Sequence, residues 1–360
     1  MMMPTTLSPI IALGLMSGTS LDGLDMALCE FQRTENRWRY RVLKAETAPY
    51  EEAWRQQLND AENLSARAFM LLDRQIGKRI AEEVNRFLEN APARPVLIAS
   101  HGQTIFHQPE IGLTVQIGSG AEIATRTGIS TICDFRTADV ALGGQGAPLV
   151  PIGDELLFSQ YDGCLNLGGF SNISFSCEHR RVAFDIAPCN MLLNTLAQKK
   201  GLSFDKGGLL ARNGYIFRPL LTKLNELAYY QAPWPKSLGK EWFLQYVWPL
   251  FQDEKICVED ALRTATEHIA TQIGKTLEKN KIKSVLTTGG GTKNSYLMDC
   301  IRAKAPHTMV VIPDELTVDF KEAIIFAFLG VLRLQGDNNC LCQVTGAERD
   351  NCGGALWAGK

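Results

Sequence analysis

Apolar positions recur along the chain with two periods, and their alternation predicts the architecture. Residues 10–16 form one apolar run, residues 24–31 a second, and residues 39–46 alternate like a third. Short runs bounded by turn residues read as strands, so the chain is expected to open with a strand meander. Across residues 65–88, Phe69, Leu72, Ile76, Ile80, Val84 and Phe87 fall three and four apart, the spacing of one helix face. Residues 258–277 repeat that pattern with Leu262, Ala265, Ile269, Ile273 and Leu277. Buried strands are expected at residues 95–99, 114–117, 129–133, 164–167, 285–288 and 310–312, with helices from about Asn294 and over residues 320–334. Residues 134–151, rich in glycine and proline, read as a loop.

Strands alternating with helices predict an α/β fold. An apolar strand, a glycine/serine turn and a second strand occur near residue 14 and again near residue 167. That spacing is about a domain's length, so two related halves are expected. The boundary falls near residue 160, giving an N-terminal lobe of residues 1–160 and a C-terminal lobe of residues 161–360, whose last helices pack back on the first. One turn from each lobe would point into the cleft between them.

Charge narrows the function. Lysine plus arginine is 37 and aspartate plus glutamate 39, a net charge of −2, so there is no bulk electrostatic footprint for nucleic acid or an anionic membrane. The longest plainly apolar run, residues 323–332, is about half of the ~20 residues that a spanning helix needs. The first basic residue is Arg33, after the apolar stretch of residues 9–16, so a secretory start is not expected and the protein reads as cytoplasmic. The 10 cysteines are dispersed without a CxxC pair, and the 5 histidines are scattered. Free thiols, and neither disulfides nor zinc, are the expectation.

Three glycine-bearing turns carry candidate chemistry. Gly18, Thr19, Ser20, Leu21, Asp22, Gly23, Leu24 and Asp25 place small and hydroxyl residues between two strands, where backbone N–H groups approach phosphate oxygens closely. Asp22 and Asp25 in the same turn suit a magnesium ion held mainly through waters. An ordinary hairpin is the alternative. Gly168 and Gly169 follow a second strand, and Gly289, Gly290 and Gly291 stand between a strand and a helix. Tight turns explain each of these singly; three after apolar strands point to a nucleotide. Asp185 ends an apolar run before Pro188, the place of a catalytic base or of a turn aspartate. Asp134, Arg136 and Asp139 sit in the polar loop that continues to Pro148, suited to a hydroxylated substrate with Arg136 for a carboxylate, or to a surface salt bridge. His101, alone near a strand end, reads as structural.

Together these strings resemble one family. GLMSGTSLDGLDMAL, ASHGQTIFHQP, TVQIG, CDFRTADVALGGQGAPLVP, LNLGGFSNIS, PKSLGKEWF, TTGGGTKN and QVTGA occur in the order found in the anhydro-N-acetylmuramic acid kinases, from Gly14 to about Ala347. The resemblance implies the two-lobed ATPase fold shared by actin, Hsp70 and sugar kinases, with ATP in the interlobe cleft. It implies 1,6-anhydro-N-acetylmuramic acid as substrate, N-acetylmuramic acid 6-phosphate and ADP as products, and a homodimer. The phosphates would lie against residues 18–25 and the adenosine near residues 289–291. The family's FDxGPGN segment maps to residues 184–190, which makes Asp185 the base and places Asn190 at the sugar. Ala187 and Cys189 stand where glycines are usual, and their side chains are expected to narrow the sugar pocket. Arg136 would pair with the lactyl carboxylate, Asp134 would stand beside it, and Glu322 would meet a sugar hydroxyl. A kinase for another amino sugar and a non-enzymatic ATP-driven switch are the competing readings.

Overall fold

The computed structural model describes residues 8–18, 21–34, 37–252 and 256–360. Its strands are β1 (Ile10–Ser17), β2 (Gly23–Thr34), β3 (Arg37–Pro49), β4 (Leu97–Ser100), β5 (Gln103–Gln108), β6 (Leu113–Ile117), β7 (Ser130–Cys133), β8 (Gly163–Leu167), β9 (Phe170–Cys177), β10 (Arg180–Pro188), β11 (Ser284–Thr288), β12 (Met309–Val311) and β13 (Ala355–Trp357). They fall into two compact units, residues 1–157 with 320–360, and residues 158–319. The second crossing between units, at residues 319 and 320, lies inside one continuous helix, Glu315–Gln335, so no linker composition marks it.

Both units are built on one strand order. In the first, the sheet runs β13-β7-β4-β1-β2-β3, with β3-β2-β1 antiparallel and β1-β4-β7 parallel. In the second it runs β10-β9-β8-β11-β12, again antiparallel through β10-β9-β8 and parallel through β8-β11-β12. The chain thus makes the same three-strand meander twice and then adds parallel strands on the same side. This duplicated order agrees with the two related halves expected from the sequence.

In the first unit, Leu13, Leu15, Leu24, Met26 and Leu28 share a core cluster with Leu72, Ile76, Ile80, Val84 and Phe87 of the helix Ala66–Glu89. Ser65 caps that helix by accepting the Ala68 N–H at 3.4 Å. The other sheet face carries the helix Glu315–Gln335, where Gly330 lies so near β4 that an added Cβ would fall 2.6 Å from the Ala99 Cβ. That helix begins five residues before the expected start. Asp314 accepts the Thr317 N–H at 3.0 Å and its hydroxyl at 2.8 Å, which begins the helix ahead of its continuous apolar run. In the second unit, Leu262, Ala265, Ile269, Ile273 and Leu277 of the helix Val258–Lys279 pack with Leu165, Ile173, Phe175 and Val182 of the sheet.

The stretch 134–151 is not a plain loop. It contains the helix Thr137–Ala141 and the start of the helix Val150–Leu157. Five residues are too few to display a helical period, and the first of these helices is set instead by Asp134 at its start. All 10 cysteines are free. Among the described residues no helix is long and apolar enough to cross a membrane.

Candidate active site

In the first unit, β1 ends at Ser17, which is buried. Its hydroxyl donates to Gln103 Oε1 at 2.6 Å and shares a hydrogen bond with the Tyr50 hydroxyl at 2.7 Å. The Leu21 N–H donates to Gly18 O at 3.2 Å, and Leu21 turns left-handed at φ +55° with its side chain buried. Asp22 is exposed, and its main-chain oxygen accepts the Tyr50 N–H at 3.2 Å. Gly23, Leu24 and Asp25 already belong to β2 and pair with β3, and the Leu24 side chain is in the core. The open part of the expected phosphate turn is therefore residues 18–22, of which Thr19 and Ser20 lie outside the described residues. A recess of about 190 Å³, lined by Leu21, Asn59, Glu62, Gln103 and Thr104, borders it. Among the described residues no three acids, histidines or cysteines gather to hold a metal ion. Magnesium commonly binds through one or two carboxylates plus waters and phosphates, and the exposed Asp22 fits that kind of site.

Arg136 is anchored from two directions in this unit. Its guanidinium donates to Gly146 O at 2.6 Å and to His101 Nε2 at 2.8 Å. His101 Nδ1 lies 2.8 Å from Gly102 O, so the neutral ring carries its proton on Nδ1 and accepts through Nε2. Burial, and then the Arg136 charge, hold the imidazole down at about 3. Burial lowers the Arg136 guanidinium to about 10, with Glu322 opposing, so it stays cationic at neutral pH. Glu322 keeps solvent contact although protein atoms crowd it. The crowding pushes its carboxyl above the ordinary glutamate range, Lys321 and Arg136 pull it back, and solvent contact screens these charges.

Two aspartates of this region do structural work. Asp134 accepts both the N–H and the hydroxyl of Thr137 through Oδ1, at 3.4 and 2.6 Å, from a left-handed residue at φ +58°. That carboxylate oxygen serves the helix start before any substrate. Asp139 is fully buried and lies in no surface salt bridge. It accepts from the Gly146 N–H, the Thr345 hydroxyl, Asn351 Nδ2 and the Cys340 thiol, tying the loop to the C-terminal segment. A carboxylate so enclosed is not available as a base.

The second unit collects Gly168, Gly169, Asn190 and Gly289 to Gly291 at one end of its sheet. The N–H groups of Cys189 and Met191 donate to Gly169 O and that of Asn190 to Gly168 O, at 2.8, 3.1 and 3.1 Å. Asn190 Nδ2 donates to Leu167 O at 2.9 Å. The Asn190 side chain thus holds the end of β8, where the family resemblance implies a sugar contact. Gly289, at φ +86°, approaches the same strand end, and a Cβ there would fall 2.5 Å from Asn166 Oδ1. Only glycine fits both that φ and that approach.

Asp185 lies on β10 at a bulge, since Asp185 pairs with Asn172 and Ala187 with the next residue, Ser171. The side chain is half-buried, and burial raises its carboxyl to about 6, the Leu238 N–H opposing. Ala187 and Cys189, expected to narrow the sugar pocket, are both fully buried in the hydrophobic core. Sequence reasoning missed Tyr229 and Leu238, which hold Asp185, and Lys236, which holds Tyr229. The Tyr229 hydroxyl donates to Asp185 O at 2.6 Å and the Leu238 N–H to Asp185 Oδ2 at 2.8 Å. The string PKSLGKEWF was the one signal for Lys236 and Leu238 and carried no indication of which residues they would meet, and Tyr229, outside it, had none.

Comparison with known proteins bears on the family. The family model for anhydro-N-acetylmuramic acid kinase matches residues 10–359. An anhydro-N-acetylmuramic acid kinase of Gloeobacter violaceus is 35% identical over 368 residues, covering 95% of this chain and 97% of its own. One of Vibrio vulnificus is 36% identical over 358 residues, covering 94% and 95%. Among solved structures, a ROK family glucokinase from Streptomyces griseus, in complex with glucose and AMPPNP, is similar at 12% identity and a TM-score of 0.41, covering 91% of this chain and 100% of its own. With a family model spanning nearly the whole chain and relatives matched end to end, the chain belongs to the anhydro-N-acetylmuramic acid kinase family.

Proposed function

We propose that this protein opens the 1,6-anhydro ring of 1,6-anhydro-N-acetylmuramic acid and phosphorylates the freed O6 with ATP, giving N-acetylmuramic acid 6-phosphate and ADP during cell-wall recycling. The observation that carries the mechanism is the state of Asp185: a half-buried carboxyl raised to about 6, with one oxygen held by the Leu238 amide. Such a group is largely ionised at neutral pH and basic enough to take a proton from water.

Asp185 takes one proton of a water as its oxygen attacks the anomeric carbon. The bond from that carbon to O6 breaks, and its electron pair stays on O6. O6 then attacks the γ-phosphorus in line, the bond to the β-phosphate oxygen breaks, and ADP leaves. Asp185 returns its proton to solvent. Residues 18–22 and the Gly168–Gly169 turn serve the phosphates and residues 289–291 the adenosine. Asp22 would hold magnesium through waters, and the bound ion supplies charge neutralisation at the phosphates. Arg136, kept cationic, pairs with the lactyl carboxylate. Glu322 meets a sugar hydroxyl. The two units are the two lobes of the ATPase fold, in a cytoplasmic homodimer whose mass light scattering would give.

The test is a coupled assay of ADP release with 1,6-anhydro-N-acetylmuramic acid, free N-acetylmuramic acid and N-acetylglucosamine. Turnover confined to the anhydro-sugar is expected. Preference for a free sugar would make the protein an ordinary amino-sugar kinase, and ADP release indifferent to sugar would leave a nucleotide switch.

A further inference from the structure

Asp185 stands where β10 is least constrained by its sheet. The bulge after it leaves Ile186 without a partner on β9, and an unpaired residue lets the neighbouring backbone tilt. What restrains Asp185 comes from 44 and 53 residues away in sequence. The Tyr229 hydroxyl holds its main-chain oxygen and the Leu238 N–H holds Oδ2, at 2.6 and 2.8 Å. Among the described residues Oδ1 receives no hydrogen bond.

The loop that supplies both donors is exposed from Gln231 to Pro235, yet it is closed on itself. Lys236 Nζ donates to Tyr229 O at 3.0 Å and lies 4.5 Å over the Tyr229 ring. Tyr229 packs against Trp242 and Tyr230, with ring centroids 5.2 and 5.7 Å away. Tyr230 is in turn fixed from the helix Val258–Lys279. His268 Nε2 lies 2.9 Å from its hydroxyl, and His268 Nδ1 lies 2.8 Å from Asn225 Oδ1. Burial holds His268 neutral, so Nδ1–H donates to Asn225 and Nε2 accepts from Tyr230. The support runs without a gap from a buried helix to the main-chain oxygen of Asp185.

We infer that Tyr229, Lys236 and the Leu238 amide form a positioning clamp that commits Oδ2 of Asp185 to the protein and presents Oδ1 as the basic oxygen. The inference rests on the reading of Asp185 as the base. A carboxylate that turns freely spends much of its time misdirected, and small misplacements at a reacting centre cost rate steeply. The clamp also donates to the charged form of Asp185, which lowers its pKa against the effect of burial. Burial pushes the Tyr229 phenol up, so it remains a donor wherever Asp185 titrates.

The experiment compares Tyr229→Phe, Lys236→Met, Lys236→Arg and Asp185→Asn in the full chain. It follows kcat, the KM for each substrate and the pH dependence of kcat/KM, with ADP binding by calorimetry. Tyr229→Phe and Lys236→Met should lower kcat about 10–100-fold, the range that a displaced catalytic group produces. Their acid limb should move to higher pH, and ADP affinity and the KM for ATP should stay unchanged. Lys236→Arg keeps a donor and should recover most of the turnover. If Tyr229→Phe does not fold, the Lys236 pair makes the same comparison. Wild-type kcat and an unmoved acid limb in both clamp variants, with Asp185→Asn inactive, would overturn the clamp and spare the base. So would equal losses in Lys236→Met and Lys236→Arg with no shift of the limb, which mark a merely structural role. An Asp185→Asn variant that keeps most of its turnover would overturn the base and the clamp with it.

Discussion

The turn between β1 and β2 and the turn between β8 and β9 occupy the same place in the same strand order, but they are held in different ways. The first runs over residues 18–22 and has an exposed acid, Asp22, at its far end. Among the described residues it is held by the Tyr50 N–H on Asp22 O and the Leu21 N–H on Gly18 O, beside the hydrogen bonds of Ser17 to Gln103 and Tyr50. The second is two glycines long, and both of their carbonyls accept N–H groups from residues 189–191. The N–H groups of the residues that follow β10 make the second turn a fastener for that strand end. It fixes the end of β10, and with it the approach to Asp185. Duplicating a frame thus supplied two equivalent positions, and each is held by different partners within its own unit.

Four substitutions test that difference. Asp185→Asn should have the largest effect. Turnover should fall at least about 10²–10⁴-fold, the usual contribution of a general base, with ATP binding retained. An active variant in the coupled assay would remove the base from the second unit. In the wild type, kcat/KM should fall on acidification through about pH 6 as Asp185 is protonated.

Gly18→Val comes next. A branched side chain in the open turn should lower ATP affinity beyond detection by calorimetry while circular dichroism stays native. Normal binding would show that the first turn is not the phosphate site. Gly289→Ala should cost about 1–3 kcal/mol, because the position is left-handed and the added Cβ meets Asn166. A melting temperature equal to wild type would contradict the close approach.

Asp185→Asn should also change stability, with a sign set by pH. Burial raises the folded-state carboxyl from 3.8 to about 6, so the contribution of its proton is complete below pH 3.8 and is lost as pH rises through about 6. The ionised form is the costly one, and Asn removes that cost. The variant should match wild type near pH 4 and exceed it by about 1–3 kcal/mol above pH 6, the lower figure allowing for solvent screening of a half-buried group. A constant difference in chemical denaturation across that range would refute the desolvation. The smallest effect belongs to Gly169→Ala. No atom lies within 4 Å of the added carbon, so stability should change by less than about 0.5 kcal/mol.

What could be read from the sequence depended on distance along the chain. The strand meander, the helix Ala66–Glu89 with Ser65 before it, and the Gly289 turn were legible because neighbours a few residues apart set them. The helix Thr137–Ala141 was not, because a single aspartate starts it and its five residues cover little more than one turn. Asp139 looked like a loop acid suited to substrate or salt bridge, and is instead enclosed by donors 201, 206 and 212 residues away.

By itself the sequence determined the doubled α/β pattern and the glycine turns, since periodicity and turn chemistry act between near neighbours; Asp185, expected at a strand end, lies inside β10, which runs on to Pro188. The tertiary structure decided which of those groups are free. Asn190 and Asp134 were drawn into holding backbone, Ala187 and Cys189 into the core, and the Asp185 carboxyl under the Leu238 amide. The physical reason is that a hydrogen-bonding group or a side chain is committed by whatever packs against it, and in a fold closed by pairings across tens to hundreds of residues that partner leaves no mark beside it in the chain.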